Sequence, residues 1–265
     1  MKRRVFGLLA AGLLFAATAY GQSTIKGMSL NGTTGLIATP TAQIGWERSS
    51  DLGLDFGYHW VKPKNQDAAN IPKASLSLFR KAELSFAYDS MGGLYAEDKG
   101  SFLGAGKFQF FNKGPSATAI GANIQMIEAG GQDYQAFQIY LAATYGGEFF
   151  GMPATTTVVF GKTFGDTELG IEEGNIDFSM GFELSLFPKV LQGHVQWIND
   201  FSNYSYSAAP TGAATWYRGA YNTGIRIDPL KHAKYKFVID AVLADVFDED
   251  DRAFILGATF GLGLK

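Results

Sequence analysis

The sequence predicts an all-β protein, an up-and-down antiparallel transmembrane β-barrel of about 12 strands. Three observations carry that expectation. Apolar and polar residues alternate with a period of two along most of the chain after residue 50, which gives strands one greasy and one wet face. The N-terminus has the form of a secretory signal. The connections between alternating stretches are themselves alternately long and short, as in barrels with long outer loops and short periplasmic turns.

The clearest strand is Asn175 to Leu186. Ile176, Phe178, Met180, Phe182, Leu184 and Leu186 are apolar, and the residues between them, Asp177, Ser179, Gly181, Glu183 and Ser185, are polar or small. On a helix, residues two apart point roughly 200° apart, so this pattern would spread acids and apolar groups over every face. As a tilted strand it is long enough to cross a bilayer, which takes about 9–11 residues. A strand of a soluble sheet would show the same alternation, so the case rests on the rest of the chain.

Residues 1–21 read as the signal peptide. Lys2, Arg3 and Arg4 precede an apolar run from Val5 to Ala17, then small Ala19 and Gly21. The chain has no cysteine, which excludes a lipid-modified Cys, disulfides and thiolate metal sites. No later apolar run has the length of a membrane-crossing helix, and 22 Phe and 33 Gly coexist with a mean hydropathy near zero because apolar and polar residues alternate. The net charge of -3 gives no reason to expect a nucleic-acid partner.

After a Gly-, Ser- and Thr-rich stretch over 22–50, read as a lead-in or a plug, a single barrel domain is expected over 51–265. Leu52, Leu54, Phe56, Tyr58 and Trp60 open it on one face, with Asp51, Gly53, Asp55, Gly57 and His59 on the other. Further strands are expected at 74–79, 82–89, 102–111, 117–127, 135–145, 155–164, 175–187, 190–199, 215–227, 234–246 and 253–264. The links at 61–73, 90–101, 128–134, 165–174, 200–214 and 247–252 are long and polar, and those between them are mostly tight. An even strand count leaves both termini in the periplasm. A soluble sandwich with crossing connections gives no such alternation. Tyr58, Trp60, Tyr88, Trp197, Tyr217 and Phe254 fall near the outer ends of apolar faces, and Phe110, Tyr145, Phe187, Tyr235 and Phe237 near the periplasmic ends, as two interfacial girdles would.

Catalysis is not expected. Of the three histidines, His59 and His194 have no hydroxyl neighbour two residues away and His232 falls in a turn, so none forms a nucleophile pair. The acidic groups Glu172, Glu173 and Asp248 to Asp251 lack metal-ligand spacing and read as solvated loops, so neither metal nor cofactor is expected. The lumenal face is richer. Asp55, Glu83, Lys107, Asp177, Glu183, His194, Arg218, Arg226 and Lys236 mix both signs along it. Such a set either coats a water-filled passage or pairs off into a closed interior, and about 12 strands lies between the filled and the open barrel sizes. Inward Gly53, Gly57, Gly181 and Gly224 leave room for a passage or serve strand bending.

Gly35-Leu36-Ile37-Ala38-Thr39-Pro40-Thr41-Ala42, after the signal and before the first strand, resembles the Gly-Leu-Ile-x-Thr-Pro-x-Ala signature of outer-membrane barrels associated with exopolysaccharide production. The resemblance implies an outer-membrane barrel with a role in envelope polysaccharide export. Within this stretch Leu36, Ile37, Thr39 and Pro40 are candidates for a small plug at the barrel mouth, a disordered leader being the alternative. The chain closes on Leu262-Gly263-Leu264-Lys265 and not on Phe, leaving Phe260, Leu262 and Leu264 for the barrel-assembly machinery. The expected function is a porin-like outer-membrane channel for small hydrophilic solutes without sharp charge preference. The alternative is a non-conducting structural barrel or a partner in polysaccharide export. The expected partners are outer-membrane lipid, lipopolysaccharide and that assembly machinery.

Overall fold

In the computed structural model, residues 25–264 are described except 47–49, 66, 91–99, 130, 166–175, 204–218, 231–233 and 250–251. Twelve strands form one closed barrel in chain order. They are β1 (Leu52–Pro63), β2 (Ala69–Leu78), β3 (Ala82–Asp89), β4 (Ser101–Lys113), β5 (Ser116–Ala129), β6 (Gln132–Phe149), β7 (Met152–Gly165), β8 (Asp177–Ser185), β9 (Val195–Ser202), β10 (Ala220–Ile227), β11 (Tyr235–Ala244) and β12 (Ala253–Leu264). Each strand pairs antiparallel with its sequence neighbours, and β12 returns to β1 with Leu264 opposite Leu52 and Ala253 opposite Pro63. Closure leaves no edge, so every ladder is satisfied within the wall.

The alternation sorts between the two faces. On β8, Asp177, Ser179, Gly181 and Glu183 are buried while Met180 is exposed, as is Ile176 just before the strand; Leu184 of the apolar face is buried as well. On β6, Phe137, Ile139, Leu141 and Tyr145 point outward and Gln138, Tyr140, Ala142 and Thr144 inward. The large exposed side chains are thus mostly apolar, and the inner face carries buried charged and amide groups such as Arg226, Glu83, Gln138 and Gln196, the inverse of a soluble sandwich.

The end at which β1 starts and β12 finishes carries the tight turns. Phe79 and Arg80 both take positive φ (51° and 58°), as do Phe150 and Gly151 (50° and 71°). Two successive left-handed residues make a hairpin turn whose twist matches that of the strands. Glycine fits the second position of 150–151 without strain, whereas Phe79 and Arg80 take the conformation despite their side chains.

Several expected boundaries move. The link placed at 61–73 is largely wall, because β1 continues to Pro63 and β2 starts at Ala69 and runs through Pro72. The turn placed at 146–154 shrinks because β6 and β7 pair up to Phe149 opposite Met152. The strand expected over 190–199 starts only at Val195. Pro188 opens a one-turn helix, α1 (Pro188–Leu191), in which the amides of Val190 and Leu191 donate to the Phe187 carbonyl. Proline suits this first helical position because its missing N–H would be unpaired there anyway. His194 therefore precedes β9.

Candidate functional site: the lumen and the segment inside it

Strands about 4.8 Å apart and tilted by about 40° close a twelve-stranded barrel at a backbone radius of about 12 Å. Inward side chains of ordinary length reach only part of the way to the axis, so the wall cannot fill its own lumen. Residues 25–46 fill it. Most of this stretch is buried, with Met28, Ala42 and Ile44 fully so.

The segment is a folded loop. Ser29 N donates to Thr33 O, Leu30 N to Ile37 O and Leu36 N to Thr39 O, and Met28 bridges to Thr34 and Gly35 to Pro40. Asn31 Oδ1 accepts from the hydroxyls of Ser29 and Thr33 (2.5 and 2.8 Å), which closes the tip. Lys26 Nζ donates to the Ile44 carbonyl, tying the two ends together. Gln43 Nε2 reaches Pro115 O in the turn between β4 and β5, so both ends lie on the turn side and the loop enters from there.

Charged wall groups hold its backbone. Asp200 Oδ2 on β9 accepts three consecutive amides, Ile37 N (3.1 Å), Ala38 N (2.7 Å) and Thr39 N (2.8 Å), while Oδ1 accepts from Asn222 (2.7 Å). Glu83 accepts from Thr34 N (2.5 Å), the Thr34 hydroxyl (2.6 Å) and Gly45 N (3.3 Å). The cations take the carbonyls. Lys107 donates to Thr34 O and Thr41 O, both at 3.0 Å, Lys73 to Ser29 O (2.7 Å), and Arg226 to Gly35 O (2.8 Å). Behind these contacts Arg226 is bidentate to Asp240 (2.8 and 3.1 Å), and Lys107 lies 3.6 Å from Glu83. Lys236 pairs with Asp55 at 2.6 Å, and Asp55 also accepts from Trp46 Nε1 at 2.9 Å.

Apolar groups of the segment enter gaps in the wall. A Cβ placed on Gly181 would stand 1.8 Å from Leu36 Cδ1, one on Gly53 1.8 Å from the Trp46 ring, and one on Gly57 2.8 Å from Met28 Sδ. These inward glycines give room to the segment, not to a passage. Toward the loop ends of β1, β2, β4 and β12 the inner face turns apolar, with Val61, Ile71, Leu103 and Ile255 joined by Ile198 of β9 and Val242 of β11. Leu30, Leu36 and Ile37 pack into that cup.

The tight turn over 35–40 accounts for much of the Gly35 to Ala42 motif. A Cβ on Gly35 would stand 2.5 Å from Thr39 O. Thr39 is the last of the three donors to Asp200, and Pro40 follows with no amide hydrogen to leave unpaired. Ala42 N then donates to the Thr144 hydroxyl at 2.9 Å.

The residues singled out in the sequence divide. Asp55, Glu83, Lys107, Glu183, Arg226 and Lys236 are buried on the inner face and converge on the segment or its supports. Asp177 is buried in the wall, accepting from Gln138 and Thr163 at 2.5 Å each. His194 does not line the lumen. It sits half-buried at the turn end with Nδ1 2.6 Å from Asp228 O, because the helical turn displaces it from β9. Arg218, His232, Glu172, Glu173, Asp250, Asp251, Tyr217 and the signal stretch lie outside the described residues.

Two holders of the segment, Lys73 and Asp200, escaped sequence reasoning because both fell in links. Asp200 follows Ile198 and Asn199, where an apolar residue faces in and a polar one out, which breaks the alternation. The Asn199 amide is held on the outer face, where its Oδ1 accepts from Tyr221 and Thr223 (2.9 and 2.7 Å). Lys73 follows Pro72, which cannot donate to a ladder, at the end of the stretch read as the link 61–73. Continuing the period of two past each irregularity would have found both.

A closed antiparallel barrel with an apolar exterior and a polar, occupied interior is a membrane barrel of the outer-membrane type. No protein-family model matches the chain, and no curated protein matches it. Among solved structures it is similar to the KdgM porin in complex with disordered oligogalacturonate, at 7% identity over 80% of this chain and 99% of that one, with a TM-score of 0.49. It is also similar to the outer membrane protein Omp33 of Acinetobacter baumannii, at 9% identity over 81% of this chain and 98% of that one, TM-score 0.45. The β domain of the Bordetella autotransporter BrkA is similar at 14% identity over 82% of this chain and 100% of that one, TM-score 0.43. At these values the likenesses carry nothing about function.

Proposed function

We propose that the protein is an outer-membrane channel for small hydrophilic solutes that its own N-terminal segment holds closed, the turn end facing the periplasm. The observation that carries this reading is the kind of filling the lumen has. A barrel meant only to be shut is better filled with apolar side chains, since replacing buried ion pairs by packed hydrophobes is often neutral or stabilising by about 1–4 kcal/mol. Here Glu83, Lys107, Asp200 and Arg226 are buried against a separable loop. If the loop leaves, water solvates these groups, so this charged part of the wall tolerates an occupied and a wet state alike. The mixture of signs favours no sharp charge selection in the wet state.

The packed lumen also favours a second reading, a barrel that never conducts and acts as a scaffold, for example in envelope polysaccharide export as the Gly35 to Ala42 resemblance implies. Deleting residues 22–46 behind an intact signal separates the two. The channel reading expects a barrel that still folds, as judged by heat-modifiable gel mobility, and that conducts in planar bilayers where the full-length protein is mostly silent. A folded deletion variant as silent as the parent would leave the scaffold reading.

A further inference from the structure

We propose that the lumen is a peptide-binding site, and that the ligand class it takes in trans is a short looped peptide offering three successive N–H groups to Asp200 and backbone carbonyls to Lys107, Arg226 and Lys73. The proposal rests on the channel reading only in that the lumen must be able to empty.

The wall sorts its contacts by sign. Among the described residues two carboxylates take the loop's N–H groups, Asp200 those of residues 37–39 and Glu83 those of Thr34 and Gly45. The cations take backbone carbonyls, Lys73 and Arg226 each spanning two neighbouring ones, Ser29 with Leu30 and Gly35 with Leu36. The neutral amide of Gln109 takes a further carbonyl, Ala42 O, at 3.1 Å. A peptide satisfies such a wall because its N–H groups donate to the carboxylates and its carbonyls accept from the cations. What a saccharide does not offer is the spacing seen here, three consecutive N–H donors on one carboxylate oxygen with carbonyls of the same chain on Lys107, Arg226 and Lys73. Recognition is thus written largely in main-chain chemistry, with polar side-chain contacts from Thr34 to Glu83, Asn31 to Asn123 and Trp46 to Asp55 beside it, while Gly181, Gly53 and Gly57 add shape by admitting Leu36, Trp46 and Met28. The contacts are non-covalent and come from many separate strands, so nothing in them requires the loop to be joined to β1.

The test uses the barrel lacking residues 22–46 in detergent and a labelled synthetic peptide of residues 25–46, with binding read by fluorescence anisotropy. Saturable binding is expected, displaced by the unlabelled peptide but not by one of the same composition in scrambled order, nor by a neutral linear oligoglucoside. Asp200→Asn in the barrel should weaken binding by about tenfold or more, the worth of one charge-assisted hydrogen bond. No binding by a folded deletion barrel overturns the proposal, as does equal binding of the scrambled peptide. Displacement by the oligoglucoside at similar concentration overturns it in favour of a hydroxyl-recognising site. If the deletion variant does not fold, a protease site inserted between Arg48 and Ser49 of the full chain is cut after folding. Exchange of the cut loop for labelled peptide is then expected, and a loop that never exchanges shows part of the fold instead of a ligand. Binding is read without current, so a barrel that binds peptide yet never conducts sinks the channel reading alone. One that conducts yet binds no peptide sinks this proposal alone.

Discussion

Asp200→Ala is expected to open the channel in the full-length protein, raising its conductance toward that of the barrel lacking residues 22–46. One carboxylate oxygen accepts the amides of Ile37, Ala38 and Thr39, and alanine offers them no acceptor in its place. Hydrogen bonds to a charged group contribute about 1.5–3 kcal/mol each, and three to one atom do not add fully. Water entering beside the alanine recovers part of the loss. A net weakening of the closed state by about 3–4 kcal/mol follows, which raises the open-to-closed ratio by roughly a few hundredfold. Asp200→Asn keeps an acceptor and should open the channel less. Heat-modifiable mobility of both variants separates opening from failure to fold, and single-channel open probability measures the effect.

Gly181→Leu is expected to act from the other side of the same turn. Its first side-chain carbon would lie 1.8 Å from Leu36 Cδ1, closer than any packed pair of carbons can stand, and the backbone carbonyl of Asn199 at 3.2 Å blocks retreat along the wall. Leu36 must leave its pocket, and the turn that presents residues 37–39 to Asp200 moves with it. Leu36→Ala alone removes a buried side chain and should weaken closure by about 2–5 kcal/mol. Joined to Gly181→Leu it relieves the collision, so the double variant should be closed more often than Gly181→Leu alone. That sign reversal in a double-mutant cycle is what direct contact requires.

The barrel was legible in the sequence because it is written in a period of two. Once Leu52 to Trp60 and Ile176 to Leu186 are read as strands, the same rule recovers every strand, and the even count follows from the rhythm of links. What was not legible lies where the outside stops being simply lipid and the inside simply water. Ile198, Val61 and Val242 face inward and are apolar because Leu30, Leu36 and Ile37 meet them there. Alternation alone reads such residues as lipid-facing or as strand ends, and so Asp200 was lost. His194 was misplaced for a local reason, the helical turn that Pro188 starts. The segment itself shows no periodicity. Its motif announced a tight turn through Gly35 and Pro40, but a partner more than 160 residues away in the chain is set by barrel closure, which no local pattern encodes.

The absence of native cysteine makes the position of the segment directly measurable. Thr39 is fully buried and its hydroxyl makes no hydrogen bond, so Thr39→Cys disturbs the turn little. Asp133→Cys, exposed at the loop end of β6, gives the accessible reference. In intact outer membranes treated with a membrane-impermeant maleimide, position 133 should label at once. Position 39 should stay unlabelled until the barrel is unfolded or carries Asp200→Ala. Labelling of Thr39→Cys in the otherwise unaltered, folded protein at the rate of Asp133→Cys would contradict a lumen held closed by its own N-terminal segment.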